Sequence, residues 1–140
     1  RSISNVEKIN HSIKNRDFWM PFAPIVLHEY QDVLIDNPKK IESPHMTIAF
    51  ETKDGKNIFP AAVHRSDGTA RAQLLKKEEN PKLWELIYKF YEKTGVPAIL
   101  NTSLNLHGYP IVRTIDDALH VFQNSELDAL WLNHHIVKKN

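Results

Sequence analysis

The chain is 140 residues long, enough for one domain with a real core, and it contains neither an apolar run of membrane-spanning length nor a secretory signal pattern. Its 18 Lys and Arg stand against 17 Asp and Glu, so the overall charge selects no polyanionic partner and any anion site has to be local. The absence of cysteine excludes disulfides, thiolate metal sites and thiol nucleophiles, and fits a reducing cytoplasm.

Ser4-Asn-Val-Glu7 has capping-box spacing, and Val6, Ile9 and Ile13 fall on one face of a short helix. That helix delivers Lys14-Asn-Arg16. These two cations either complement the helix dipole or, two apart in an extended segment, converge on one anion. Phe18 to Pro24 is an aromatic and proline-rich corner, read as core rather than a base-stacking platform, and it leads into a strand at Ile25-Val-Leu27. Residues 29–44 are polar and rich in turn residues, which predicts a loop. Met46, Ile48 and Phe50 alternate with polar or small neighbours, Asp54-Gly55 makes a turn, and Ile58 to Val63 follows, so the pattern predicts a β-hairpin.

Asp67-Gly68 supplies a second tight turn. After it Thr69, Arg71 and Gln73 share one face of a predicted strand, with Ala70, Ala72 and Leu74 on the other. An Arg among small residues is either a rim charge or a planar clamp for carboxylate or phosphate. Asn80-Pro81 starts a helix with a stripe of Leu83, Leu86, Ile87, Phe90 and Tyr91, and Gly95 ends it. A short apolar strand, Val96 to Leu100, runs into the polar loop Asn101-Thr-Ser-Leu-Asn105. Small amides and hydroxyls at a strand's carboxyl end suit a ligand site, although Asn and Ser also commonly satisfy their own loop. Thr114 caps a second amphipathic helix with Ile115, Ala118, Leu119 and Phe122 inward, and strands are predicted at residues 127–132 and 136–137.

The alternation of strands and helices from Ala62 onward indicates an α/β fold with at least one right-handed crossover, preceded by antiparallel hairpin strands. None of the four glycines has Walker or dinucleotide spacing, so side chains have to do much of any phosphate binding. Adjacent His134 and His135 would point to opposite strand faces, and His64 with Asp67 offers only two ligands, a weak metal site. Neither Ser66 nor Ser103 has the sharp, Gly-flanked setting of a hydrolase nucleophile. What remains is a set of cations and amides suited to a phosphorylated substrate: Lys14, Arg16, Arg71, Asn101, Ser103 and Asn105.

Trp19-Met-Pro-Phe-Ala-Pro24, Ser43-Pro-His-Met46, His64-Arg-Ser-Asp-Gly-Thr-Ala-Arg71-Ala-Gln73, Thr94-Gly-Val-Pro97, Asn101 to Asn105 and Pro110-Ile-Val112 together resemble the C-terminal domain of the O-carbamoyltransferases that modify nodulation factors and antibiotics. The resemblance runs through nearly the whole chain. It implies a YrdC-like twisted mixed sheet with helices packed on it, as a single domain over residues 1–140. The YrdC signature, Lys-x-Arg with Ser-x-Asn far downstream, is matched by Lys14-Asn-Arg16 and Ser103-Leu-Asn105.

The resemblance further implies that carbamoyl phosphate and ATP, with Mg²⁺, give carbamoyl-adenylate, whose carbamoyl group passes to an acceptor hydroxyl held by an upstream Kae1-like domain of the same polypeptide. Iron would belong to that upstream domain. The start at Arg1-Ser-Ile3, without Met, resembles the tail of the family's linking motif and is read as the beginning of a fragment. Lys14 and Arg71 are then the expected catalytic cations. Lys14 and Arg16 would meet phosphate charge, Arg71 would clamp carbamoyl phosphate or the adenylate, and Asn101, Ser103 and Asn105 would hydrogen-bond the carbamoyl and phosphate groups. Met20 stands where members often carry Arg, with Arg65 or Arg113 as neighbouring cations. The competing reading is an RNA-binding YrdC-like module without carbamoylation activity; a basic stripe with interleaved aromatics, which it would need, is absent.

Overall fold

Val6 is the buried contact of a short first helix, α1 (Ile3–Ile9). The computed structural model describes residues 3–11 and 22–139. Their contacts gather into two units, residues 22–102 in one and residues 4–11 with 103–139 in the other. Ser4 lies inside α1 and not at its cap as the capping-box spacing predicts, because Ile3 is already helical.

In the first unit β1 (Ala23–Leu27) is buried along its whole length. The reason is that both its faces are covered. Val26 joins Leu34, Ile35, Phe50, Phe59 and Leu74 on one side, whereas Ile25 and Leu27 join Leu75 and Ile87 on the other, as alternation along a strand requires. A 3₁₀ turn (His28–Tyr30), α2 (Gln31–Leu34) and β2 (Ile35–Asp36) follow where the polar composition predicts only a loop. Buried Gln31 and Asn37 organise this excursion: the Asn37 amide donates to Gln31 Oε1 (2.8 Å) and to the Ile41 carbonyl (3.0 Å), and its own oxygen accepts from Ile41 N–H (2.9 Å). Side-chain amides thus replace the regular backbone ladder.

The predicted hairpin is also revised. β3 (Phe50–Thr52) is extended, but α3 (Gly55–Ile58) and a 3₁₀ turn (Pro60–Ala62) replace its partner strand. Gly55 permits this because a Cβ there would come within 2.5 Å of Thr52 Oγ1. β3 instead pairs antiparallel with β2 and with β4 (Thr69–Ala70). The strand expected through residues 69–74 breaks at Arg71-Ala72, and β5 (Gln73–Leu75) belongs to the other sheet, parallel to β1.

α4 (Pro81–Thr94) matches its sequence signals closely. Asn80 accepts from Leu83 N–H, and Gly95 closes the helix at φ 70°, where its N–H reaches the Tyr91 carbonyl. Its buried face is rotated from the predicted stripe, however: Ile87 is 0% exposed while Leu86 is 44% and Phe90 38%. Trp84, Tyr88 and Tyr91 take up the contact, with Trp84 stacked on Tyr88 at 4.9 Å and the Tyr30 ring tilted against Tyr91 at 4.7 Å. β6 (Ala98–Asn101) then pairs antiparallel with β1, giving the mixed order β5-β1-β6. The parallel pair is therefore β1 with β5, joined by the long excursion, and not two strands flanking α4.

In the second unit α5 (Ile115–Gln123) carries a complete capping box, Thr114 accepting from Asp117 N–H and the Asp117 carboxylate accepting from Thr114 N–H. Ala118 and Phe122 pack with Leu130, as the periodicity predicts, but Ile115 is 65% exposed and Val121 is buried. β7 (Ala129–Leu132) and β8 (His135–Lys138) form a two-stranded hairpin turned by Asn133 at φ 52°. Lys139 donates to the Ser125 carbonyl and lies over the Phe122 ring, and Lys8 of α1 pairs with Asp128 at 3.7 Å. The chain is thus an α/β protein, with three small sheets among the described residues. No helix among the described residues is long and apolar enough to cross a membrane.

Candidate functional site

The loop between the second 3₁₀ turn and β4 is closed by backbone bonds, His64 N–H to the Thr69 carbonyl (2.8 Å) and Gly68 N–H to the His64 carbonyl (2.9 Å). Gly68 takes φ 76°, a conformation that a side chain would disfavour. Thr52 Oγ1 donates to the Gly68 carbonyl at 2.7 Å and ties the loop to β3. Within it Asp67 Oδ1 accepts from both the backbone N–H (2.9 Å) and the hydroxyl (2.8 Å) of Thr69 and stands 3.2 Å from His64 Nδ1. These two Thr69 donors, followed by His64, hold the Asp67 carboxyl below the usual carboxylate range. Ser66 Oγ is 2.9 Å from the same imidazole nitrogen.

Arg71 stands just past this loop, at the break between β4 and β5. It lines a cavity of about 130 Å³ together with His64, Asp67, Thr69 and the small or apolar residues Phe22, Ala49, Ala62 and Ala70. The break is itself braced. Ser43, 1% exposed, donates its hydroxyl to the Ala72 carbonyl (2.8 Å) and accepts Leu74 N–H on its own carbonyl (2.8 Å). Ser43 and Ala72 thereby fix where Arg71 leaves the chain, a duty that no pattern of polarity in the sequence announces.

The amide of Asn101, at the end of β6, donates to Gln73 Oε1 at 3.1 Å and to Met46 Sδ at 3.3 Å. Met46 occupies the left-handed region at φ 55°. Asn101 is thus gathered with Met46 and with Gln73, and Gln73 is two residues from Arg71 along the chain. In the second unit Ser103 Oγ donates to Asn105 Oδ1 (2.7 Å), and the Asn105 amide donates to the Tyr109 carbonyl (2.7 Å). Ser103 and Asn105 therefore meet each other, in a turn that their own side chains help to close. Lys14 and Arg16 lie outside the described residues, as do the Met20 position and most of the aromatic corner.

A second, larger cavity of about 550 Å³ in the second unit lies beside this turn, with Leu106, Tyr109, Ile111 and Val121 as apolar walls and Arg113 and His120 among its polar lining. Arg113 and Thr114 donate their backbone N–H groups to Asp117, which with the Thr114 hydroxyl holds that carboxyl low. Sequence reasoning did not anticipate this cavity, because isolated Tyr109 and Ile111 carry no period that marks a wall. The residues it did anticipate fall into three local groups: Arg71 with His64 and Asp67, Asn101 with Gln73, and Ser103 with Asn105. Among the described residues no cluster of three or more His, Asp or Glu could hold a metal ion.

Arg71 at a small cavity and the mutually bonded amides and hydroxyls at and after the end of β6 are the candidate site. The chain matches the family model described as carbamoyltransferase C-terminus over residues 1–139, and it belongs to that family. Its relatives include an uncharacterized protein of Methanocaldococcus jannaschii, 41% identical over 96% of this chain and 26% of that protein. They also include the nodulation protein NolNO of Sinorhizobium fredii (36% identical, 99% of this chain, 21% of that protein) and the nodulation protein NolO of Bradyrhizobium diazoefficiens (33%, 99% and 26%). The chain thus spans about a quarter of the length of the curated relatives it matches.

Proposed function

We propose that this chain is the activating part of an ATP-dependent O-carbamoyltransferase, forming carbamoyl-adenylate for transfer to an acceptor hydroxyl held elsewhere in the full-length protein. With atoms balanced, carbamoyl phosphate, ATP and one water give carbamoyl-adenylate, pyrophosphate and phosphate. Water first cleaves carbamoyl phosphate to carbamate and phosphate. A carbamate oxygen then attacks the α-phosphorus of ATP, and the bond from that phosphorus to the oxygen bridging to the β-phosphate breaks, releasing pyrophosphate. The observation that carries the proposal is the position of Arg71, within a family-matched chain, at a cavity lined by Ala49, Ala62 and Ala70 and by a hydrogen-bonded loop. A planar guanidinium there offers two parallel donors to phosphate or carbamate oxygens and offsets the repulsion between two polyanions. Lys14, Arg16, Asn101, Ser103 and Asn105 are proposed to complete the contacts to phosphate and carbamoyl groups. Mg²⁺ would arrive with the nucleotide, whose phosphates supply much of its oxygen shell.

The test is carbamoyl-phosphate-dependent exchange of pyrophosphate into ATP by the full-length protein. Arg71→Ala is expected to reduce exchange by roughly a hundredfold or more. Exchange at the wild-type rate would remove Arg71 from the site. Calorimetry with ATP, carbamoyl phosphate and a short duplex RNA at physiological salt separates this reading from an RNA-binding one; RNA binding without nucleotide binding would overturn it.

A further inference from the structure

We propose that His64, oriented by Asp67, is a second anion-recognising group beside Arg71, so that their shared cavity takes one small phosphoryl group and not the nucleotide. The inference rests on the proposed function for the identity of the phosphoryl compound, though the pocket chemistry stands by itself. Three observations support it.

The first is size. Drug- and cofactor-sized ligands occupy pockets of roughly 300–1,000 Å³, whereas this cavity has about 130 Å³. That is room for a tetrahedral oxyanion with a short substituent, not for a nucleoside. The second is geometry. Nδ1 of His64 faces the Asp67 carboxylate at 3.2 Å and the Ser66 hydroxyl at 2.9 Å, an arrangement that favours a proton on Nδ1 and leaves Nε2 as the nitrogen for a ligand. Asp67 is in turn fixed by the two Thr69 donors, so the imidazole is held by a carboxylate that is itself held.

The third is charge. Among the described residues that line the cavity with His64, the charged ones are Arg71 and Asp67, and Phe22, Ala49, Ala62, Thr69 and Ala70 contribute no charge. Asp67 already faces His64, Thr69 N–H and Thr69 Oγ1. When both ring nitrogens of His64 carry a proton, its Nε2–H is a second donor beside Arg71, and a dianion bridging the two accepts hydrogen bonds from both. His64 and Arg71 would touch the ligand; Asp67 is a positioning residue. Carbamoyl phosphate or the phosphate released from it has the right size and charge, whereas the phosphates of ATP bring an adenosine that the cavity does not accommodate.

The experiment uses the full-length protein and sulfate as probe, because sulfate is a tetrahedral dianion whose own charge is constant across neutral pH. Sulfate and carbamoyl phosphate affinities are measured by calorimetry against pH, with ATP affinity measured separately. His64→Ala is expected to weaken both small anions about tenfold or more and to leave ATP affinity within twofold, with added imidazole restoring part of the loss. His64→Gln retains a donor but cannot titrate, so it should keep part of the affinity and lose the decline of sulfate binding with rising pH. Asp67→Asn should weaken sulfate severalfold and alter that decline, which a merely structural role in the loop would not do.

Small-anion affinities and pH profiles that are unchanged in both His64 variants would overturn the proposal, as would a loss confined to ATP. Failure of the function reading is distinct: wild-type protein that binds sulfate through His64 but performs no carbamoyl-phosphate-dependent exchange would sink the activity and leave the pocket.

Discussion

At the residue scale, two carboxylates carry hydrogen-bond loads that make stability depend on acid. Asp67 is held low by the backbone N–H and hydroxyl of Thr69 and then by His64, and Asp117 by the N–H groups of Arg113 and Thr114 and by the Thr114 hydroxyl. A carboxyl whose folded value is depressed contributes stability that is present above its unfolded value, about 3.9, and that is lost as pH falls through the folded value. Asp67→Asn and Asp117→Asn are therefore expected to give melting temperatures that fall less steeply than the wild type's below about pH 4. Parallel slopes in the two variants and the parent would show that these bonds are as well made in the unfolded chain. The same bonds have separate local consequences: Asp117 completes the cap of α5, whereas Asp67 fixes the imidazole beside Arg71.

At the scale of elements, α4 is where local signals and structure agree best. Its two ends can be tested separately. Asn80→Ala removes the acceptor for Leu83 N–H and should cost about 1 kcal/mol. Gly95→Ala meets no neighbour within 4 Å but must adopt φ 70°, so its expected cost of about 1–2 kcal/mol is purely backbone, and Gly95→Asn should recover part of it. Chemical denaturation of the three variants checks this; equal losses for Ala and Asn at position 95 would argue against a backbone origin. The buried face of the same helix was only partly legible. Leu86 and Phe90 fit a 3.6-residue stripe as well as Trp84 and Tyr88 do, and the choice went to the latter because Tyr30, remote in sequence, offers a ring partner to Tyr88, on which Trp84 stacks.

On the scale of the whole molecule, each unit encloses apolar contacts of its own. In the first, Ile87 is fully buried against Ile25, Leu27 and Leu75, so Ile87→Ala should cost about 2–5 kcal/mol. Hydrogen exchange should show the loss of protection in β1, β5 and β6, and an effect below 1 kcal/mol would mean that the site collapses around the missing methyl groups.

The sequence by itself determined the elements whose signals are local. Caps at Asn80 and Thr114, the left-handed stop at Gly95, the strand at Ile25 to Leu27 and the family motifs are all written within a few residues, where dihedral preference and short-range hydrogen bonds decide. It also singled out Arg71, Asn101, Ser103 and Asn105. Tertiary structure decided the rest: that the Thr69 to Leu74 run breaks at Arg71, that Ile58 to Val63 coils and does not pair, that Asn101 bonds Gln73 and Met46, and that Arg71 shares a cavity with His64. The physical reason is that the break at Arg71 and the bonds of Asn101 turn on buried or half-buried partners 28 to 55 residues apart, Ser43 with Ala72 and Asn101 with Gln73 and Met46. A strand breaks where a distant hydroxyl takes its carbonyl, and no periodicity within the strand records that competitor.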